Sequence, residues 1–340
     1  MNARLPVSYS TQTRHSPTLS ILIPVYNEIE VLPLCLERLG TVLTALDCSH
    51  EIIFVDDGSR DGSADWLAAH VCSHDNLKLI RLSRNFGKEA AMSAGLQHCS
   101  GEATIILDAD LQDPPELVPD MLAAWRAGAD VVAMRRRSRA GEPWHKKLSA
   151  HLYYRLLGHL SNAPIPPDTG DFRLLSRRAV QALNQLPERT RYMKGLFAWV
   201  GFPTTVMFYD RAPRAAGTTK WGYRALLALA LEGITSFSVR PLRWTAGLGA
   251  VTATAGLAYG AFIAIKTVML GEAVQGYPSL VAIMSILGGA QLIALGLLGE
   301  YVGKTYIEAK QRPLFLVRDI LQSPPAYARQ HTEETHHAHA

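Results

Sequence analysis

The chain has 340 residues, 48% of them apolar and 19% charged, with a formal net charge of only +4. That length holds two domains or one domain with an appendage, and so small a net charge gives no general nucleic-acid role. The four cysteines, Cys35, Cys48, Cys72 and Cys99, show no C-x-x-C spacing, which points to reduced thiols in a cytosolic setting.

Residues 1–17 are polar and lack an apolar run, so a disordered start without a signal peptide is expected. Residues 19–25 read as a first strand, followed by a helix over 28–46. A second strand begins at Glu51 and ends on Asp56 and Asp57 with a Gly-Ser turn. Helix 63–70, strand 77–82 and a helix opening near Lys88 and reaching Cys99 follow. This alternation predicts an α/β domain with a mainly parallel sheet, whose ligands sit beyond the carboxyl ends of the strands. No G-x-G-x-x-G follows any strand, which disfavours a dinucleotide oxidoreductase.

The fourth strand, 104–107, ends on Asp108, Ala109 and Asp110. Residues two apart in an extended chain point the same way, so Asp108 and Asp110 can aim at one point. Hard oxygen ligands of this kind suit Mg²⁺ or Mn²⁺, and Gln112 extends the same edge. Pro114 and Pro115 stop the strand, and a helix begins at Glu116. An isolated acidic pair is also a common loop feature. Four polar clusters, at 24–28, 56–59, 84–88 and 108–112, nevertheless fall at one sheet edge.

Residues 130–134 form a further strand that runs into a basic segment, in which Arg135 is the best-fixed member. The segment reads either as a solvated loop or as a site for an anionic substrate or lipid headgroup. Asp171 is a general-base candidate, with pairing to Arg173 or a turn cap as the plainer roles. A helix over 177–186 and a strand over 204–210 precede a Gly-containing loop with Arg214 and Lys220, suited to a phosphate. Residues 221–237 are apolar but carry Arg224 and Glu232, which places them at a membrane surface.

Residues 244–265 and 277–299 contain one charge-free stretch each, long enough to span a bilayer. Arg240 and Arg243 precede the first, and Lys304, Lys310 and Arg312 follow the second. The connector over 271–279 has only Glu272. The positive-inside rule then puts both flanks and the α/β domain in the cytosol. The expected organisation is a disordered segment over 1–17, a catalytic domain over 18–220, an interfacial helix over 221–243, two spans within 244–304 and a cytosolic tail over 305–340.

These residues resemble glycosyltransferase family 2, of the GT-A (Rossmann-like) fold. Within it the chain looks like the polyprenyl-phosphate glycosyltransferases, most closely the bactoprenol glucosyltransferases, with dolichol-phosphate mannose synthases as relatives. The motifs are Ile23-Pro-Val-Tyr-Asn-Glu28, Val55-Asp-Asp-Gly-Ser59, Arg84-Asn-Phe-Gly-Lys-Glu89, Asp108-Ala-Asp-Leu-Gln112, Gly170-Asp-Phe-Arg-Leu-Leu-Ser-Arg177, Met193-Lys-Gly195 with Trp199, and Leu231-Glu-Gly-Ile-Thr-Ser-Phe237. The Q-x-x-R-W motif and extra spans of processive members are absent from the sequence.

The resemblance implies that Pro24, Tyr26, Glu28, Val55, Asp56 and Asp57 hold the nucleotide base and ribose, with Asp108 and Ala109 beside them. It implies that Asp108, Asp110 and Gln112 hold Mg²⁺ or Mn²⁺ on the donor diphosphate, that Arg135, Arg214 and Lys220 contact phosphates, and that Asp171 and Asp110 are catalytic. The implied reaction is inverting transfer of glucose from UDP-glucose to undecaprenyl phosphate at the cytosolic face of the cell (inner) membrane. The implied assembly is a homo-oligomer, a tetramer being one form. Alternatives are transfer of mannose, aminoarabinose or an N-acetylhexosamine to the same lipid, a non-catalytic membrane scaffold, and a membrane-anchored nucleotide-binding module.

Overall fold

The computed structural model describes residues 17–137, 169–212, 240–270 and 276–323. The interfacial helix expected over 221–237 and the loop bearing Arg214 and Lys220 lie outside these residues.

The α/β domain is built on an eight-stranded sheet. Its strands are β1 (Leu19–Val25), β2 (His50–Asp56), β3 (Leu77–Leu82), β4 (Ala103–Ile106), β5 (Val131–Arg136), β6 (Thr169–Ser176), β7 (Thr204–Tyr209) and β8 (Val317–Gln322). Their order is β7-β5-β6-β4-β1-β2-β3-β8. The centre β4-β1-β2-β3 is parallel, as the alternation of elements predicts. The flanks depart from that expectation. β6 runs antiparallel to both β4 and β5, β8 runs antiparallel to β3, and β7 returns to a parallel pairing with β5. The central strands are apolar on both sides because helices cover both faces. Ile21, Ile23, Phe54 and Leu79 enter one core layer, while Leu22, Ile53, Val55 and Ile80 enter the other.

Helices α1 (Leu32–Thr44), α2 (Ser63–Val71), α3 (Lys88–His98), α4 (Val118–Arg126), α5 (Arg177–Gln185) and α6 (Met193–Trp199) pack around this sheet. α1 starts later than residue 28 because Asn27 takes a left-handed backbone (φ 54°) and Pro33 sits in the first turn. A 3-10 turn, Pro115–Leu117, precedes α4 where the helix was expected from Glu116. Ser176 caps α5, its hydroxyl accepting from the Ala179 N–H.

Two long helices follow, α7 (Arg240–Leu270) and α8 (Tyr277–Ala309). The segments Leu242–Ile263 and Ile286–Ala309 are long and apolar enough to cross a membrane. Their apolar side chains lie open, as in Leu257, 77% exposed, and Leu292, 71% exposed. In α8 the charges Glu300, Lys304 and Glu308 all fall in the last part of the helix, where it meets the α/β domain. The segment expected as a tail then adds β8 to the sheet edge. Arg81 and Asp319 form a two-point ion pair there, at 2.6 and 2.9 Å.

Candidate active site

β4 carries the acidic pair to the sheet edge. Leu107, Ala109 and Leu111 are all buried in the core, and Asp108 and Asp110 alternate with them in the turn that follows the strand. Leu111 has a left-handed backbone (φ 56°), which turns the chain sharply after Asp110. Asp110 is 7% exposed, and its Oδ1 accepts from the Gln112 N–H at 3.1 Å. The Gln112 carbonyl accepts from the Ala212 N–H, tying this loop to the end of β7. Nearby, the Tyr209 hydroxyl donates to buried Asp113, whose carboxyl is pushed up by burial and then by the Asp108 charge.

β6 brings in the third carboxylate. Its register with β4 pairs Ile106 with Arg173, and the same register continued two residues puts Asp171 opposite Asp108. Lys88, the first residue of α3, joins them. Its Nζ lies 2.7 Å from Asp108 Oδ1 and 2.7 Å from Asp171 Oδ2. Burial opposes the Lys88 charge, but the two carboxylates outweigh it and raise its pKa. Burial likewise opposes the Asp171 charge, yet Lys88, then Lys194 and Arg173, hold the carboxyl well below the usual range. These charges favour the ionised form of Asp171. Its Oδ1 is buried with no hydrogen-bond partner among the described residues.

The ion-pair partner of Asp171 is Lys88 rather than Arg173, the plainer partner weighed from the sequence. Arg173 donates from Nη2 to the Gly170 carbonyl at 2.6 Å and stacks 3.7 Å over the Phe197 ring. Burial brings its pKa down to about 10 against the pull of Asp171 and Glu89. Glu89 sits behind Lys88. Burial and then the Asp171 charge push its carboxyl up to about 8, while its Oε2 accepts from the Met193 N–H.

The neighbouring strand ends form a second group. Pro24 pairs with Val55 across β1 and β2, and Tyr26 is 37% exposed at the strand tip. Val55 and Ala109 are buried in the core, so they can offer a ligand only backbone atoms. The Glu28 N–H donates to Ser63 Oγ, and its carbonyl accepts from Val31 and Leu32 at the start of α1. Asp56 accepts from the Ser59 N–H. Asp57 accepts from the Phe86 and Gly87 N–H groups at 2.7 and 2.9 Å, so it shapes the loop before α3. Burial raises the pKa of both carboxyls. Gly58 is required between them and that loop, because a Cβ there would lie 2.7 Å from the Arg84 and Asn85 backbone.

Arg135 lies at the same edge, opposite Thr169, 5.7 Å over the Phe208 ring. The sequence motifs contain Lys88, Glu89 and Lys194 but assign these residues no role, and Arg173 enters there only as a pairing partner for Asp171. Lys88, Glu89 and Lys194 share one signal, a charge at a helix start, whereas Arg173 lies mid-strand in β6.

Among the described residues no three Asp, Glu, His or Cys side chains gather as a ready cage for a metal. Asp108 and Asp110 supply hard oxygens, and the unpartnered Asp171 Oδ1 adds acceptor capacity close by. Such a set fits Mg²⁺ or Mn²⁺, which need only one or two carboxylates when substrate phosphates complete the shell.

A parallel sheet centre, an antiparallel flank and an acidic D-x-D pair beside a third carboxylate define a GT-A type α/β domain. The model of glycosyl transferase family 2 matches residues 20–183. A Synechocystis protein described as an uncharacterized glycosyltransferase is 50% identical over 302 residues, covering 89% of this chain and 95% of its own length. An Escherichia coli K12 protein named prophage bactoprenol glucosyl transferase homolog is 42% identical over 302 residues, covering 89% and 99%. Among solved structures, glucosyl-3-phosphoglycerate synthase from Mycobacterium tuberculosis, in complex with Mn²⁺, UDP-glucose and phosphoglyceric acid, aligns with a TM-score of 0.43. Its identity is 20%, over 64% of this chain and 78% of that one. The chain belongs to glycosyl transferase family 2, and it is a glycosyltransferase.

Proposed function

We propose that the chain transfers glucose from UDP-glucose to a polyprenyl phosphate, undecaprenyl phosphate in bacteria, at the cytosolic face of the membrane. The observation that carries this reading is the Asp108–Lys88–Asp171 cluster at the sheet edge of a chain that also bears two exposed apolar helices. The names of relatives such as the 42% identical Escherichia coli protein support the sugar and the lipid.

The acceptor needs little activation. A phosphate monoester has its second pKa near about 6 and is largely dianionic at neutral pH. Its oxygen attacks the anomeric carbon as the bond to the nucleoside diphosphate breaks, which inverts that centre. Asp171, held ionised, is then not needed to remove a proton. It fixes Lys88, whose cation bridges Asp171 and the D-x-D carboxylate Asp108. Arg135 at the same edge adds positive charge for a phosphate. A divalent ion held by Asp108 and Asp110 would neutralise charge developing on the leaving diphosphate. Arg240, Arg243, Lys304, Lys310 and Arg312 flank the apolar segments on the side that keeps the catalytic domain cytosolic.

The test is transfer by purified, detergent-solubilised protein to undecaprenyl phosphate across a panel of radiolabelled sugar nucleotides, with an Asp110→Ala control. Lipid-linked glucose from UDP-glucose alone, lost in the control, is the expected result. Transfer of a different sugar would replace the donor. No transfer from any donor by folded protein would overturn the enzymatic reading of this pairing.

A further inference from the structure

α8 runs unbroken from its apolar stretch to Ala309, and its last turn is fastened to the catalytic domain by polar contacts. Glu308 Oε1 accepts from two successive backbone N–H groups, those of Arg189 at 2.8 Å and Thr190 at 3.1 Å. Arg189 reaches back, donating from Nε to the Arg312 carbonyl at 2.7 Å. A carboxylate gripped by two adjacent N–H groups is a strong, directional contact.

The gripped segment lies in the short connection between α5 and α6, and it leads directly to the reactive edge. Arg191, 8% exposed, donates from Nη1 to Ser93 Oγ on α3 at 3.3 Å. The Met193 N–H donates to Glu89 Oε2, also on α3, at 3.1 Å. The residue just before Glu89 is Lys88, which holds Asp108 and Asp171. Hydrogen bonds joined by short stretches of backbone thus link the foot of the hairpin to the reactive carboxylates. Attachment as such is secured elsewhere, by β8 pairing with β3 and by the Arg81–Asp319 ion pair. Glu308 adds orientation to that attachment.

We propose that Glu308 is a positioning residue for the acceptor, setting the angle between the hairpin and the catalytic sheet so that a phosphate anchored in the bilayer reaches Lys88 and Asp171 in register. The inference rests on the reading that the acceptor is a lipid phosphate. An acceptor free in solution can approach from any direction, whereas one held in the membrane meets the site only along the geometry the hairpin imposes.

The distinguishing experiment uses the full chain in liposomes with two acceptors, undecaprenyl phosphate in the same bilayer and a water-soluble phosphate of two isoprene units. Small misplacements of a reacting group cost up to about 100-fold, so Glu308→Ala should lower kcat/KM for the embedded acceptor at least about tenfold and stay within about twofold for the soluble one. Glu308→Gln, whose amide oxygen can still accept both N–H groups, should restore the embedded reaction. Equal losses with both acceptors, or no loss with either, would overturn the proposal. Unchanged UDP binding by Glu308→Ala confirms an intact donor site. If that variant does not fold, Glu308→Asp, whose shorter side chain draws the carboxylate away from both N–H groups, gives the same comparison. A wild-type chain inactive towards both acceptors would instead refute the lipid-phosphate reading, before any variant is compared.

Discussion

Lys88 Nζ lies 2.7 Å from Asp171 Oδ2 while also holding Asp108, so one ammonium joins the D-x-D loop to the strand that carries the candidate base. The three groups form one electrostatic unit, and groups in contact do not contribute additively. Removing one preorganised charge from a reacting site costs about 100- to 1,000-fold in kcat, the range expected for Lys88→Met. If Asp171 acts by fixing Lys88, Asp171→Asn should lower kcat through the same interaction. The double variant should then be little worse than Lys88→Met alone. Steady-state kinetics on the four proteins decide it. Losses that multiply would mean independent roles, and a full rate in Asp171→Asn would exclude proton transfer by that residue.

Removal of divalent metal tests the acidic pair separately. EDTA should suppress transfer by at least about 100-fold, with Mg²⁺ or Mn²⁺ restoring it. Asp110→Ala should lose activity that added metal does not recover. Calorimetric Mn²⁺ titration in the presence of UDP should show binding in the wild type and its loss in the variant. A variant that binds Mn²⁺ normally would remove Asp110 from the ligand set.

The parallel centre of the sheet was legible because β1 to β4 are apolar runs bounded by turns, and their ends carry the polar clusters. β6 was not. Its residues Asp171 and Arg173 are charged yet buried or half-buried, so the site itself erases the apolar pattern that marks a strand. β8 alternates as a strand should, but only its pairing with β3, from a distant part of the chain, gives it a place. The D-x-D pair was visible from spacing alone. The Lys88 bridge was not, since neither the lysine nor Asp171 signals its partner until β4 and β6 are set in register.

Gly58 carries a backbone prediction. Its φ of +71° is left-handed, which costs a non-glycine residue roughly 1–2 kcal/mol. A Cβ would also meet the backbone of Arg84 and Asn85 at 2.7 Å, where no flexible side chain can yield. Gly58→Ala should therefore displace the loop that Asp57 holds, lowering both Tm and affinity for UDP. Calorimetry on the purified chain checks both, and an unchanged Kd for UDP would separate this loop from the donor site.

Glu89 gives the pH dependence its sign. Burial and the Asp171 charge raise its folded-state pKa to about 8, above the usual carboxylate value. The folded chain then binds a proton that the unfolded chain releases from about pH 4.3 upward. The resulting stabilisation is complete below the unfolded pKa and disappears as pH rises through about 8. Glu89→Gln, which keeps an oxygen acceptor for the Met193 N–H but cannot ionise, should flatten this slope. Thermal melts at pH 5, 7 and 9 should show the wild type losing Tm relative to the variant by at least about 2 °C across the range. Parallel curves for the two proteins would mean that Glu89 ionises normally and that its contact with Met193 is the whole of its contribution.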